Sequence, residues 1–101
     1  NPAHVNEEYA KQTKFGKRIA HGLISLGLIS ATIAMKLPGP GTIYLGQTVK
    51  FLAPVYIGDT VTATVEVQSI DAERGRAVLK TNCRNQAGTL LITGEANVLL
   101  P

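Results

Sequence analysis

The chain changes period once. Up to residue 41 the apolar positions are scattered or gathered in one unbroken block; beyond it they alternate with polar ones. The block is residues 19–35, IAHGLISLGLISATIAM, uncharged and bracketed by Arg18 and Lys36. A membrane span needs about 20 predominantly apolar residues. This block is shorter, and His, Gly, Ser and Thr interrupt it, so it is not read as a span. It predicts instead a helix of about 24 Å, at roughly 1.5 Å per residue. Being apolar on nearly all sides, that helix is expected to be buried in a protein core. Pro38-Gly39-Pro40-Gly41 stops it. Ahead of it, Asn6 is a candidate N-cap with Glu7 and Glu8 in the first turn. A short helix over about 6–13 follows, closed by Phe15-Gly16.

After Gly41 the pattern predicts four strands. Residues 42–53 place Val49, Phe51 and Ala53 on one face, and 60–68 place Val61, Ala63, Val65 and Val67 on one face. Residues 76–84 alternate less well, because Val78 falls among the polar positions. Residues 89–99 turn Leu90, Ile92, Gly94, Ala96 and Val98 inward. Gly58-Asp59, Glu73-Arg74-Gly75 and Asn85 to Gly88 mark the turns. Short connections favour an antiparallel meander. A sheet with one apolar face and one wholly apolar helix solve each other's burial if the sheet wraps around the helix. The expected class is therefore α+β, a hot-dog fold. An edge strand left open on such a sheet commonly pairs with a second copy, so a homodimer is expected.

Composition narrows the function. A chain of 101 residues, 45% hydrophobic, is one domain with a modest core. With no Trp and 5% aromatics, that core is aliphatic. Ten basic and seven acidic residues give a net charge of +3, without the basic stripe and interleaved aromatics of a nucleic-acid binder. The lone cysteine, Cys83, excludes an internal disulfide framework and a Cys-rich zinc site. It is read as a buried structural thiol, and it suits a reducing, cytoplasmic setting. There is no G-x-S-x-G, P-loop or dinucleotide fingerprint, and the Gly-Pro run at 38–41 is a turn, not a phosphate cradle.

Several segments carry a family likeness. NPAH at 1–4 resembles the end of the D-x-N-P-x-H motif of the MaoC-like hydratases, the (R)-specific enoyl-CoA hydratases. FGKRIAHG at 15–22 is similar to that family's approach to its central helix. LPGPGTIYLGQTVKFLAPVYIGDTV at 37–61 is similar to its next strand and turn, and TGEANVLLP at 93–101 resembles its final strand. The likeness covers nearly the whole chain, is specific over the first 61 residues, and is nearest to short bacterial hydratases that feed polyhydroxyalkanoate synthesis. It implies addition of water across a trans-2-enoyl-CoA to give (R)-3-hydroxyacyl-CoA. An Asp and a His would share the acid–base work, with no metal or redox cofactor and with acyl-CoA as substrate.

The resemblance assigns roles residue by residue. His4 stands at the catalytic histidine, whose unperturbed pKa of about 6.5 suits proton transfer near working pH. Gly22 matches the glycine opening the central helix, where a free backbone N–H would meet the thioester oxygen. Ser30 falls at the active-site serine and would hold the water or orient the base; the bland alternative is a hydroxyl bonded to its own helix. Asn1 would fix the turn that aims His4. His21 is read as a supporting residue that caps or orients the loop. Tyr44, Gln47 and Phe51 are read as strand core rather than acyl pocket. Lys14, Lys17 and Arg18 are read as solvated charges rather than contacts to CoA phosphates.

The motif's Asp would lie two positions ahead of Asn1. The expectation is a single domain over 1–101 lacking its first strand and lead helix, about 30 residues' worth for a domain of usual size. Two other readings stay open: a non-catalytic acyl-CoA-binding hot-dog subunit, and a hot-dog thioesterase, against which NPxH argues. Because an acid–base pair acts as a unit, residues 1–101 alone are expected to hydrate crotonyl-CoA poorly. A turnover close to that of a complete hydratase would overturn this.

Overall fold

The computed structural model describes residues 1–101 as a 3-10 turn (Pro2–His4), helices α1 (Glu7–Lys11) and α2 (Gly22–Met35), and four strands. These are β1 (Ile43–Phe51), β2 (Thr62–Asp71), β3 (Arg76–Arg84) and β4 (Leu90–Leu99). The class is α+β and the arrangement is the hot-dog one, with α2 laid across one face of a fully antiparallel sheet. No helix is long and apolar enough to cross a membrane.

The sheet order is β1-β4-β3-β2, which corrects the simple meander. Strands β2, β3 and β4 do follow one another through tight turns. Asn85 Oδ1 accepts from the N–H groups of Ala87 and Thr89 in the β3–β4 turn. Gly75 (φ 63) and Gly88 (φ 81) supply the left-handed conformations these turns require. Strand β1, however, pairs with β4 at the far side. Residues 52–61 must therefore carry the chain across the width of the sheet, about three strand spacings of some 4.8 Å. That crossing passes the N-terminal end of α2.

Strand β3 alternates strictly: Ala77, Leu79, Thr81 and Cys83 are buried, and Val78 falls on the outer face. Strand β4 buries Ile92, Ala96 and Val98. It also buries Leu91, which the alternation does not predict. A bulge explains it: Cys83 pairs with Ile92 and Arg84 with Leu90, so Leu91 is the extra residue. Its carbonyl accepts from the N–H groups of both Leu52 (2.8 Å) and Ala53 (3.2 Å), anchoring the start of the crossing. Polar groups on the inner face are partnered. Gln47 donates to Thr81 Oγ1 (3.0 Å) and accepts from the Tyr44 hydroxyl. Burial holds that hydroxyl's pKa above its ordinary value.

Two expectations about α2 need correction. It begins at Gly22, not residue 19, because the Ala20 N–H pairs with Val55 O (2.7 Å) and Ile19 bridges Tyr56. Nor is it buried all round. Ser25, Ile29 and Ile33 form the buried stripe, whereas Leu23, Ile24 and Met35 are 70%, 65% and 75% exposed. A four-stranded sheet meets only one side of it. Ile29 and Ile33 pack on Leu79, Cys83, Leu91, Ile92 and Val98, and burying each contributes about 1.5–3 kcal/mol. The helix ends where Gly39, at φ 97, donates its N–H to Ile33 O. The first helix is shorter than its pattern suggested; Asn6 Oδ1 caps it by accepting from the Tyr9 N–H (3.0 Å).

Strands β1 and β4 approach most closely at Gly94, where a Cβ would run into the main-chain carbonyl of Thr48. Gly94→Ala is expected to cost about 2–3 kcal/mol, seen as a fall in melting temperature of roughly 8 °C or more. An unchanged melt would show that the two backbones can separate freely there.

Candidate active site

The 3-10 turn exists because Asn1 Oδ1 accepts from the Ala3 N–H (3.0 Å) while Pro2 presets its first residue. The turn is then tied to the segment before α2. Ile19 N–H donates to Ala3 O (3.1 Å), and His4 Nδ1 lies 2.8 Å from Ile19 O. A carbonyl only accepts, so Nδ1 carries the proton and Nε2 of the neutral ring is the free base. The His21 ring stacks on His4, centroids 3.8 Å apart and 34° between planes. Edge and face of His4 are thus both held. Asn1 and His21 each reach this histidine's surroundings by a different route, one through the turn and one through the ring.

His4 lines a cavity of about 510 Å³. One wall is Lys14, Phe15, Ile19 and Ala20; the other is the crossing, Phe51 to Val55. Between them lie Gly22, Leu23 and Ser25 of α2, with Ile92 of β4. The opposed walls are stitched by the Ala20–Val55 pair. His21 is the N-cap residue of α2 but makes no side-chain cap bond, so no side chain caps the start of the helix beside the cavity. The positive end of a helix dipole therefore stands there. Gly22 opens that helix, and a Cβ on it would collide with the Phe51 ring. Phe51 is consequently not core: it is 55% exposed and covers Gly22.

The structure brings His4 and Gly22 into one cavity, with His21 against His4. Ser30 lies outside the cavity lining, and the serine on its wall is Ser25. From the sequence Ser25 reads only as a hydroxyl bonded back to its own helix; its single signal is its place one turn into the helix. Cys83 is buried, its Sγ 3.7 Å from Ser25 O, and burial raises its pKa, which makes it a poor nucleophile. No group of three His, Cys, Asp or Glu side chains is placed to hold a metal ion. A separate cavity of about 330 Å³, between Arg74, Arg76 and Asn97, contains none of these residues.

A histidine is thus fixed beside an open helix N-terminus in an apolar cleft of a hot-dog domain, an arrangement suited to acid–base chemistry. The comparisons with known proteins then identify the family. Residues 1–87 match the MaoC like domain, and the chain belongs to that family. It is 54% identical to the (R)-specific enoyl-CoA hydratase of Rhodospirillum rubrum over 101 residues, all of this chain and 69% of that protein. It is 44% identical to the (R)-specific enoyl-CoA hydratase of Aeromonas caviae, covering 75% of it. The solved (R)-hydratase of A. caviae superposes with a TM-score of 0.96 over 100% of this chain and 76% of that one. The R-hydratase of Pseudomonas aeruginosa gives 0.92 at 48% identity, over 100% of this chain and 64% of that one.

The arrangement predicts one tautomer. In neutral His4 the proton sits on Nδ1, so a nitrogen-15 spectrum at high pH should show a bare Nε2. A proton on Nε2 would mean that the bond to Ile19 does not orient the ring.

Proposed function

We propose that the chain is a domain of an (R)-specific enoyl-CoA hydratase, adding water to a trans-2-enoyl-CoA to give (R)-3-hydroxyacyl-CoA. The observation that carries this reading is the pairing, in one cavity, of His4 with the first residue of α2. The similarity to hydratases from R. rubrum and A. caviae supports it.

The chemistry follows from the parts. Water oxygen bonds to the β-carbon as a base takes its proton, and a proton is delivered to the α-carbon. His4, with Nε2 free, takes one end of this transfer; the carboxylate that the family motif puts two positions ahead of Asn1 takes the other. Negative charge gathers on the thioester oxygen, and the Gly22 N–H at the positive end of α2 stabilises it. The sum is addition of H and OH with no change of redox state, so acid–base groups suffice without a metal or redox cofactor. Asn1 supports His4 through the turn, and His21 through its stacked ring. Ser30 enters the reading through the family resemblance alone.

The same reading extends to the assembly and setting. Strands β1 and β4 through β2 form a sheet with two open edges, which fits a homodimer built by edge pairing. The buried, unpaired Cys83 fits a reducing cytoplasm. A role in supplying polyhydroxyalkanoate synthesis follows the A. caviae relative, whose structure is described as involved in that process.

With the motif's Asp segment preceding Asn1, His4→Ala should lower crotonyl-CoA hydration about 10²–10⁴-fold, followed by loss of the enoyl-thioester absorbance. The circular dichroism spectrum should not change. Retained turnover would remove His4 from the mechanism, and release of free thiol without loss of the double bond would favour a thioesterase.

A further inference from the structure

We infer that Asp59, outside the cavity lining, is a positioning residue for His4 and acts on it through a hydrogen-bond relay carried by two peptide groups. The inference deepens the function proposed above. Its catalytic consequence rests on that function; the relay itself does not.

Residues 56–59 form a tight turn. The Asp59 N–H donates to Tyr56 O at 3.0 Å, and Gly58, at φ 93, supplies the left-handed third position. The turn folds the Asp59 carboxylate back onto its own start, where Oδ2 accepts from the Tyr56 N–H at 2.8 Å. That N–H shares a peptide group with the Val55 carbonyl. The Val55 oxygen accepts from the Ala20 N–H at 2.7 Å. The Ala20 N–H in turn shares a peptide group with the Ile19 carbonyl, and that oxygen accepts from His4 Nδ1 at 2.8 Å. A carboxylate, two peptide groups and an imidazole are thus joined head to tail.

The N–H and C=O of a trans peptide lie on opposite sides of one rigid plane. A bond accepted from its N–H therefore also aims its C=O. An anion at the far end polarises the first peptide, whose oxygen becomes a stronger acceptor and passes the effect to the second. At His4 the result is a firmer hold on the Nδ1 proton, which leaves Nε2 as the free base. Asp59 is equipped for its end of the chain. Oδ1 accepts from Gln86 Nε2 at 3.0 Å, and Gln86 Oε1 accepts from the Thr60 N–H at 3.0 Å, so the carboxylate is pinned to the β3–β4 turn. The Gln86 bond first, and then the Tyr56 N–H, hold its pKa below the ordinary carboxylate value, with the Lys17 cation adding to them. Asp59 is therefore ionised throughout the neutral range.

The test is proton and nitrogen-15 NMR of the chain and of Asp59→Asn, Asp59→Ala and Gln86→Ala. Asp59→Asn keeps an acceptor for Tyr56 but removes the charge, so the Tyr56 amide, Ala20 amide and His4 Nδ1 protons should move upfield together. Asp59→Ala should move them further and give His4 a population with its proton on Nε2. Gln86→Ala frees Oδ1 but keeps the charge, so it should shift none of the three upfield and leave the proton on Nδ1. With the motif's Asp segment preceding Asn1, Asp59→Ala should also lower kcat for crotonyl-CoA about 10–100-fold with little change in KM. A shift confined to Tyr56 overturns the inference, because nothing is then passed on. So does a Gln86→Ala spectrum that disturbs His4 as much as Asp59→Ala does, since Asp59 would then merely hold the turn. An unchanged kcat in Asp59→Ala, where the parent is active, overturns it as well. The expected shifts in a chain that never hydrates crotonyl-CoA, even with that segment present, uphold the relay and overturn the proposed function.

Discussion

Helix α2 meets the sheet along one stripe, Ser25, Ile29 and Ile33, and most other features of the site hang on that seating. The stripe fixes how the helix is rotated. Rotation fixes where its first residue lies, and that residue, Gly22, opens the helix beside His4. A rotation of one residue, about 100°, would turn Gly22 away from the cavity and a large side chain into it. The core is therefore the device that aims a backbone N–H group. Cys83 takes part in the same seating, its thiol resting against the Ser25 carbonyl rather than serving chemistry.

The site itself is made mostly of main chain. His4 is oriented by a carbonyl, the helix start presents its own amides, and one wall is joined to the other by a backbone pair. Side chains contribute at three points: Asn1 Oδ1 in the turn that carries His4, the His21 ring against His4, and the Phe51 ring over Gly22. This explains why glycine matters at residue 22 for space rather than for backbone freedom: Phe51 needs the volume a Cβ would fill.

Much of this was legible from local pattern. Alternation and the flanking turn signals located β3 and β4 to within a residue, both being central strands paired along both edges. NPxH marked His4. What escaped was whatever depended on distant pairing. Ile19 and Ala20 continue the apolar run, yet they are extended, because Tyr56 and Val55 claim their backbones. Leu91 breaks the alternation through a bulge that only the neighbouring strand reveals. The order β1-β4-β3-β2 depends on where a ten-residue crossing lands, which no short-range signal encodes. Ser25 and Ser30 are the same residue type on one helix, about 140° apart at 100° per residue. Because that helix is apolar all round, no polar stripe told which serine faces the cavity.

The crossing at residues 52–61 has a consequence for how the cleft can change. Its start hangs from the Leu91 carbonyl by two N–H groups, and Val55 is tied to Ala20. The gap between the walls is thus a fixed frame, while Leu52 and Pro54 are panels set within it. Panels can be exchanged without warping the frame. Descendants of this chain could retune the fit of the cleft through single side chains, keeping His4 and the helix start in register throughout.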